Sequence, residues 1–207
     1  MNLFPKPFIH GHVDFQLCCP ILRASHDMKA ILFLSIFGLS LVTATAAETN
    51  SPAPATDRVG FPKAYAKSYE VLRTVPREDG KKLVTVYGNR AAASVTNRTQ
   101  LPYPQGSVLV METAGTVKDA TGQPAKDAAG NVVKEKVLGL HVMRRGKDFG
   151  VAYAEKRSGE WEFVEYRADG SHITPPEKSA TCAECHIKAG AEKDFVFNGR
   201  FGDPGKP

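Results

Sequence analysis

Between residues 61 and 166 the apolar positions fall in short blocks rich in β-branched and aromatic residues, separated by turn formers. That is the pattern of strands rather than of long helices. Val71 to Val75 and Leu83-Val84-Thr85-Val86-Tyr87 flank the turn Glu78-Asp79-Gly80. Ser107 to Glu112 follows the turn Tyr103-Pro104-Gln105-Gly106, a long strand pattern covers 132–143, and Trp161 to Tyr166 is closed by Asp169-Gly170. Residues 118–131, with Gly122, Pro124 and Gly130, form a polar loop. Helical signals are short and peripheral. Pro62 suits a first helical position before Ala64, Tyr65, Ser68 and Tyr69, and Asn89 caps a segment from Arg90 to Val95. Near the end of the chain the best-supported helix covers 178–189, and no internal repeat is present. The fold class expected is α+β: a predominantly antiparallel β-sheet with short flanking helices, one of them a motif-bearing helix near the C-terminus.

The N-terminal pattern is of another kind. Lys29 precedes the apolar run 31–42, and Thr43-Ala44-Thr45-Ala46-Ala47 then offers small residues. This charged, apolar, small-residue order is that of a secretory signal peptide over 28–46, cleaved after Ala46, which implies a periplasmic protein. The run is short for a bilayer span, so no permanent membrane anchor is expected. Met28 suits the start of such a peptide. Residues 1–27, with Cys18, Cys19, His10, His12 and His26, then read as an upstream extension with no assigned role. Residues 47–60 are Pro/Ala/Thr-rich and polar, a flexible leader, and the domain itself is expected over 61–207.

Composition adds little to this. A chain of 207 residues with 42% hydrophobic content suits one modest domain. The formal charge of +5 is dispersed, with no Lys/Arg run interleaved with aromatics, so a nucleic-acid partner is not supported. A positive surface suits an acidic redox partner protein, though a solvated face is the plainer account.

The chemistry sits in Cys182-Ala183-Glu184-Cys185-His186. This C-x-x-C-H has the form of a c-type haem attachment site. Positions three and four apart share one helix face, so both thiols and the imidazole can meet one flat ligand. Cys182 and Cys185 would form the thioether anchors and His186 the axial nitrogen on iron. Three alternatives stand beside this. A thioredoxin-like pair wants a βαβ context and has no use for the histidine. A zinc site needs three or four ligands, and the chain has no second C-x-x-C or H-x-x-x-H. A structural disulfide at this spacing would be strained.

The placement of the motif excludes two helical arrangements. Small electron-transfer cytochromes c carry it near the N-terminus of an all-helical chain, and helical cytochromes c′ carry it on the last helix of a four-helix bundle. Here it follows a chain that reads as strands. Residues 61 to about 201 resemble the cytochrome P460 family, which includes the all-β cytochromes c′ (the c′-beta group). The resemblance is carried by Phe61-Pro62 with Tyr65, Thr85-Val86-Tyr87-Gly88-Asn89, Tyr103-Pro104-x-Gly106-Ser107-Val108-x-Val110 and Trp161-Glu162-Phe163. Cys182-x-x-Cys185-His186 followed by Asp194-x-Val196-Phe197 completes it.

The resemblance implies a mostly antiparallel β domain, often a homodimer, carrying one covalently attached haem c with an open distal side. Within the family, cytochromes P460 carry a lysine cross-linked to the haem and oxidise hydroxylamine. The c′-beta proteins lack that link and bind nitric oxide and similar gases. The cross-linking position follows the second valine of the Gly-x-Val-x-Val pattern, and here it is Met111. A thioether cannot form the amine bond to the macrocycle, so the c′-beta-like reading is favoured: an exported monohaem cytochrome binding NO or a related small nitrogen species. Hydroxylamine oxidation and simple electron transfer are the alternatives. Lys118 lies nearby in sequence but in the polar loop.

Several residues are candidates for the distal side. Met111, Phe61, Phe149 and Phe163 could stack over the iron, each more simply a core residue. Met111, Met143, His141 and His172 are possible sixth ligands, with His141 and Met143 facing the same side of one strand and His172 most simply in a loop. Glu112, Glu155 and Glu165 are carboxylates able to move protons, though a charged strand residue more commonly faces solvent.

Overall fold

Strands that follow one another in the chain lie side by side in the sheet. The computed structural model describes residues 51–197 and 199–201. Strands β1 (Glu70–Arg77), β2 (Lys82–Gly88), β3 (Val108–Thr116), β4 (Lys134–Arg145), β5 (Trp161–Tyr166) and β6 (His172–Thr174) form one sheet in the order β1-β2-β3-β4-β5-β6. Every neighbouring pair is antiparallel. The short helices are α1 (Tyr65–Ser68), α2 (Arg90–Ala93) and α3 (Ala180–Ile187). This is the predominantly antiparallel α+β fold expected from the strand pattern. The expected extension over 1–27 and signal peptide over 28–46 lie outside the described residues. Among the described residues no helix is long and apolar enough to cross a membrane.

Local chemistry accounts for most element boundaries. β1 contains Pro76, which an edge strand tolerates because no neighbour needs its missing N–H. Asn89 turns the chain out of β2. Its Oδ1 accepts from the amides of Ala92 (3.0 Å) and Val108 (3.1 Å), and its Nδ2 donates to the Gly106 carbonyl (2.9 Å). One side chain thus starts α2 and fixes the first residue of β3. Gly88 precedes it because a Cβ there would stand 2.8 Å from Leu72 Cδ1 and 3.2 Å from Ala92 Cβ. The polar 118–131 segment holds two turns built on aspartates. Asp119 accepts from the amides of Thr121 and Gln123, and Asp127 from those of Ala129 and Asn131.

The two faces of the sheet bury different clusters. On one face Leu109, Met143, Phe163 and Trp161 pack with Ala92, Val95, Tyr103, Tyr153, Ala180, Ala183 and Val196. On the other, Val108, Val110, Leu140, Val142, Val164 and Tyr166 pack with Tyr87 and Val59 under Phe61, Tyr65 and Tyr69. Two carboxylates are buried on this second face, each with a cation. Glu112 takes the Tyr65 hydroxyl and Lys134 Nζ (2.9 Å), and Glu162 takes the Arg58 guanidinium. Loss of either cation would strand a buried charge.

Three features depart from the sequence expectation. The strand expected over 132–143 is Lys134–Arg145. His172, read as a loop residue, lies in β6, with Nε2 3.1 Å from Asp57 Oδ2. The later part of the expected leader packs into the domain. Val59 is buried, Asp57 accepts from the Tyr166 hydroxyl at 2.6 Å, and Arg58 reaches Glu162, 104 positions away. These contacts are long-range, and local composition does not register them.

Replacing Asn89 with Ala should lower stability by about 1–2 kcal/mol, since it removes a cap and a strand-end acceptor together. Asn89→Asp, which keeps the acceptor, should lose less. The denaturation midpoints of the two variants against the parent check this order.

Candidate functional site

α3 is laid on the sheet by its two smallest inward residues. Ala180 and Ala183 are buried in the cluster with Phe163, Tyr153 and Trp161, and Ala183 has no exposed surface. A 3-10 turn, Pro176–Lys178, leads into it. Ser179 at the junction donates to the Pro176 carbonyl (2.6 Å) and accepts from the Tyr153 hydroxyl (2.8 Å). Tyr153 Oη also accepts from the Phe163 amide at 3.2 Å, tying the start of α3 to β5. On the outer side Glu184 pairs with Lys156 at 2.8 Å. Tyr153 and Lys156 belong to a 3-10 segment, Val151–Lys156, for which there is no local sequence signal.

With Ala183 turned inward, the motif residues fan out around it. Cys182 is partly buried against the core and Cys185 is exposed; neither is in a disulfide. Burial pushes the Cys182 thiol up to about 11, so it is protonated at neutral pH. Among the described residues no group of three or more His, Cys, Asp or Glu side chains converges as metal ligands.

His186 is held on three sides. Its ring lies 4.5 Å from the Phe163 ring, tilted by 33°, with Phe197 edge-on at 5.5 Å. Nδ1 stands 2.6 Å from the Phe195 carbonyl oxygen. A carbonyl can only accept, so Nδ1 carries the proton and Nε2 keeps its lone pair. Burial pushes the imidazole below its ordinary pKa, which keeps the ring neutral. A neutral imidazole with Nδ1–H on a carbonyl and Nε2 available is the usual state of a metal-ligating histidine.

The sheet face beneath changes character over two residues. Leu109, Met143 and Phe163 form one cross-strand row, packed under α3. Two residues along each strand, on the same face, the next row is Val86, Met111, His141 and Glu165. His141 Nε2 is 3.3 Å from Glu165 Oε1, and Thr174 Oγ1 donates to Glu165 Oε2 at 2.9 Å. Met143 is 7% exposed, whereas the His141 side chain is 46% exposed. The packed row thus gives way, on the same face as His186, to one that stays apolar at Val86 and Met111 and turns polar and more open at His141 and Glu165.

The remaining sequence candidates separate by face. Phe163 contacts His186 and Met111 lies one row on. Phe61 does not share this side: its ring packs on Tyr166 at 5.5 Å, in the opposite cluster. Phe149 lies beneath the Arg58 guanidinium, 4.3 Å from its carbon. Glu112 also points to the opposite face, where Tyr65 and Lys134 hold it. Glu155 is exposed on the 3-10 segment and Lys118 on the 118–131 arm, while His172 pairs with Asp57. Of the three carboxylates only Glu165 shares the row with Met111. The period of two along each strand, applied from Phe163, would have assigned these faces from sequence once the pairing register was known.

No curated protein sequence matches the chain. The sequence model of the family described as Cytochrome P460 matches residues 62–198. That match begins just before α1, takes in all six strands and α3, and ends beside Phe197. With more than half of its length matched, the chain belongs to the cytochrome P460 family of haem c-binding cytochromes.

Proposed function

We propose that this cytochrome is an exported, periplasmic monohaem protein. In this reading Cys182 and Cys185 would anchor the porphyrin as thioethers, His186 Nε2 would ligate the iron, and the iron would bind NO or a related small nitrogen species. The donor set suits such a group. Two unpaired thiols and an imidazole with its Nε2 lone pair stand on one short helix, beside a partly open sheet face. When bound, the haem supplies the iron at which a diatomic ligand coordinates.

The protein's own residues do the rest. Phe163 and Phe197 restrict rotation of the His186 ring, and the Phe195 carbonyl holds its tautomer. The observation that carries the gas-binding reading is Met111. It lies in register with Val86 and His141 on the face that α3 covers, at the position where the family resemblance puts the cross-linking lysine. A methionine there offers no amine to the macrocycle.

One observation favours hydroxylamine oxidation as a second reading. Glu165, with His141 and Thr174 against it, places a carboxylate on the same face, where a proton could be taken from a bound substrate.

Visible spectra of the haem-loaded protein, ferric, ferrous and ferrous with NO, together with a pyridine haemochrome, test the proposal. An ordinary c-type haemochrome and a ferrous spectrum that shifts on adding NO are expected. A strongly red-shifted ferrous Soret band with an abnormal haemochrome would overturn the gas-binding reading in favour of the second. A low-spin spectrum indifferent to NO would overturn both and leave electron transfer. His186→Ala should abolish the histidine-ligated spectrum. In Met111→Lys we expect an abnormal haemochrome in part of the sample, and an unchanged one would remove Met111 as the deciding residue.

A further inference from the structure

Asp194 opens the Asp194-x-Val196-Phe197 segment that follows α3. Asp194 and Phe195 are consecutive non-glycine residues at positive φ, 50° and 61°. Such backbone persists only where surrounding contacts over-determine it. Those contacts are present. Asp194 is 5% exposed, and its Oδ2 accepts from the Tyr103 amide at 2.9 Å and from Arg145 Nη1 at 2.9 Å. Arg145 Nη1 also donates to the Tyr103 carbonyl (2.6 Å), and its Nη2 to Glu160 Oε2 (3.1 Å). The Phe195 amide donates to the Gly190 carbonyl at 2.9 Å, closing the turn after α3. The product of this turn is one carbonyl, that of Phe195, directed at His186 Nδ1.

We infer that Asp194, clamped by Arg145 at the end of β4, is a positioning residue for the axial histidine. It holds the left-handed turn that delivers the Phe195 carbonyl to His186 Nδ1, and so sets the ring plane, the tautomer and the donor strength of Nε2. This rests on the reading of His186 as the axial ligand. A histidine whose Nδ1–H is held by a carbonyl donates more strongly through Nε2, which favours ferric over ferrous iron. The electrostatic link therefore runs from the sheet, through one loop, to the metal ligand.

The test uses the haem-loaded protein and its Asp194→Asn, Asp194→Ala and Arg145→Lys variants. The readouts are the reduction potential and, in the ferrous form, the iron–histidine stretching band by resonance Raman. Asp194→Ala should raise the potential and lower and broaden the stretching band. Asp194→Asn, whose carbonyl oxygen can still accept from Tyr103 and Arg145, should shift both by less. Arg145→Lys, which keeps a charge beside Asp194 but loses the fork to Tyr103 and Glu160, should fall between. If Asp194→Ala does not fold, the parent, Asp194→Asn and Arg145→Lys still form a series. Potentials and bands equal to the parent's across the variants that fold would overturn the inference. His186→Ala separates the two levels. A retained iron–histidine band in that variant removes the axial assignment itself, whereas its loss beside unshifted Asp194 variants removes only the role of Asp194.

Discussion

The site depends on how closely α3 can approach the sheet. That distance is set by Ala183, which lies between Cys182 and Cys185 with no surface left exposed. A larger residue would lift the helix, since interiors at crystal-like packing density do not absorb extra methylenes cheaply. With the helix seated, the Phe163 ring meets the His186 ring, and Tyr153 reaches both Ser179 and the β5 backbone. The motif supplies the reactive groups. The small residue inside it supplies their position.

The sheet assigns its two faces different work. Face by face, the register sends Met111, His141 and Glu165 toward α3, and Glu112 and Glu162 away from it. The carboxylates sent away are buried and ion-paired, and they tie the N-terminal segment at Arg58 and the start of β4 at Lys134 to the sheet. Glu165, sent toward the helix, keeps weaker partners in His141 and Thr174.

Much of this was legible in the sequence, for reasons that can be named. β2, β3 and β5 announce themselves because β-branched and aromatic blocks stand between turn formers, and Asn89 is a cap wherever it precedes a helix start. The Cys182-to-His186 spacing reads as chemistry without any structure. What could not be read depends on distant partners. β6 is three residues long and is a strand because β5 lies beside it. Tyr153 matters through Ser179, and Phe61 sides with Tyr166 rather than His186 because strand alternation put Tyr166 on that face. Asp194 was visible as part of a family pattern, but its partner Arg145 lies 49 positions earlier, and no local signal joins them.

The two margins of the sheet close it to neighbours. β1 carries Pro76 and an irregular register between Val71 and Arg73, and β6 ends after three residues. A straight run of free amides and carbonyls is what another chain needs to add a strand, and Pro76, the irregularity in β1 and the brevity of β6 each shorten such a run. These features disfavour strand addition at either margin. A partner of this domain would then meet side chains before it met an unpaired backbone.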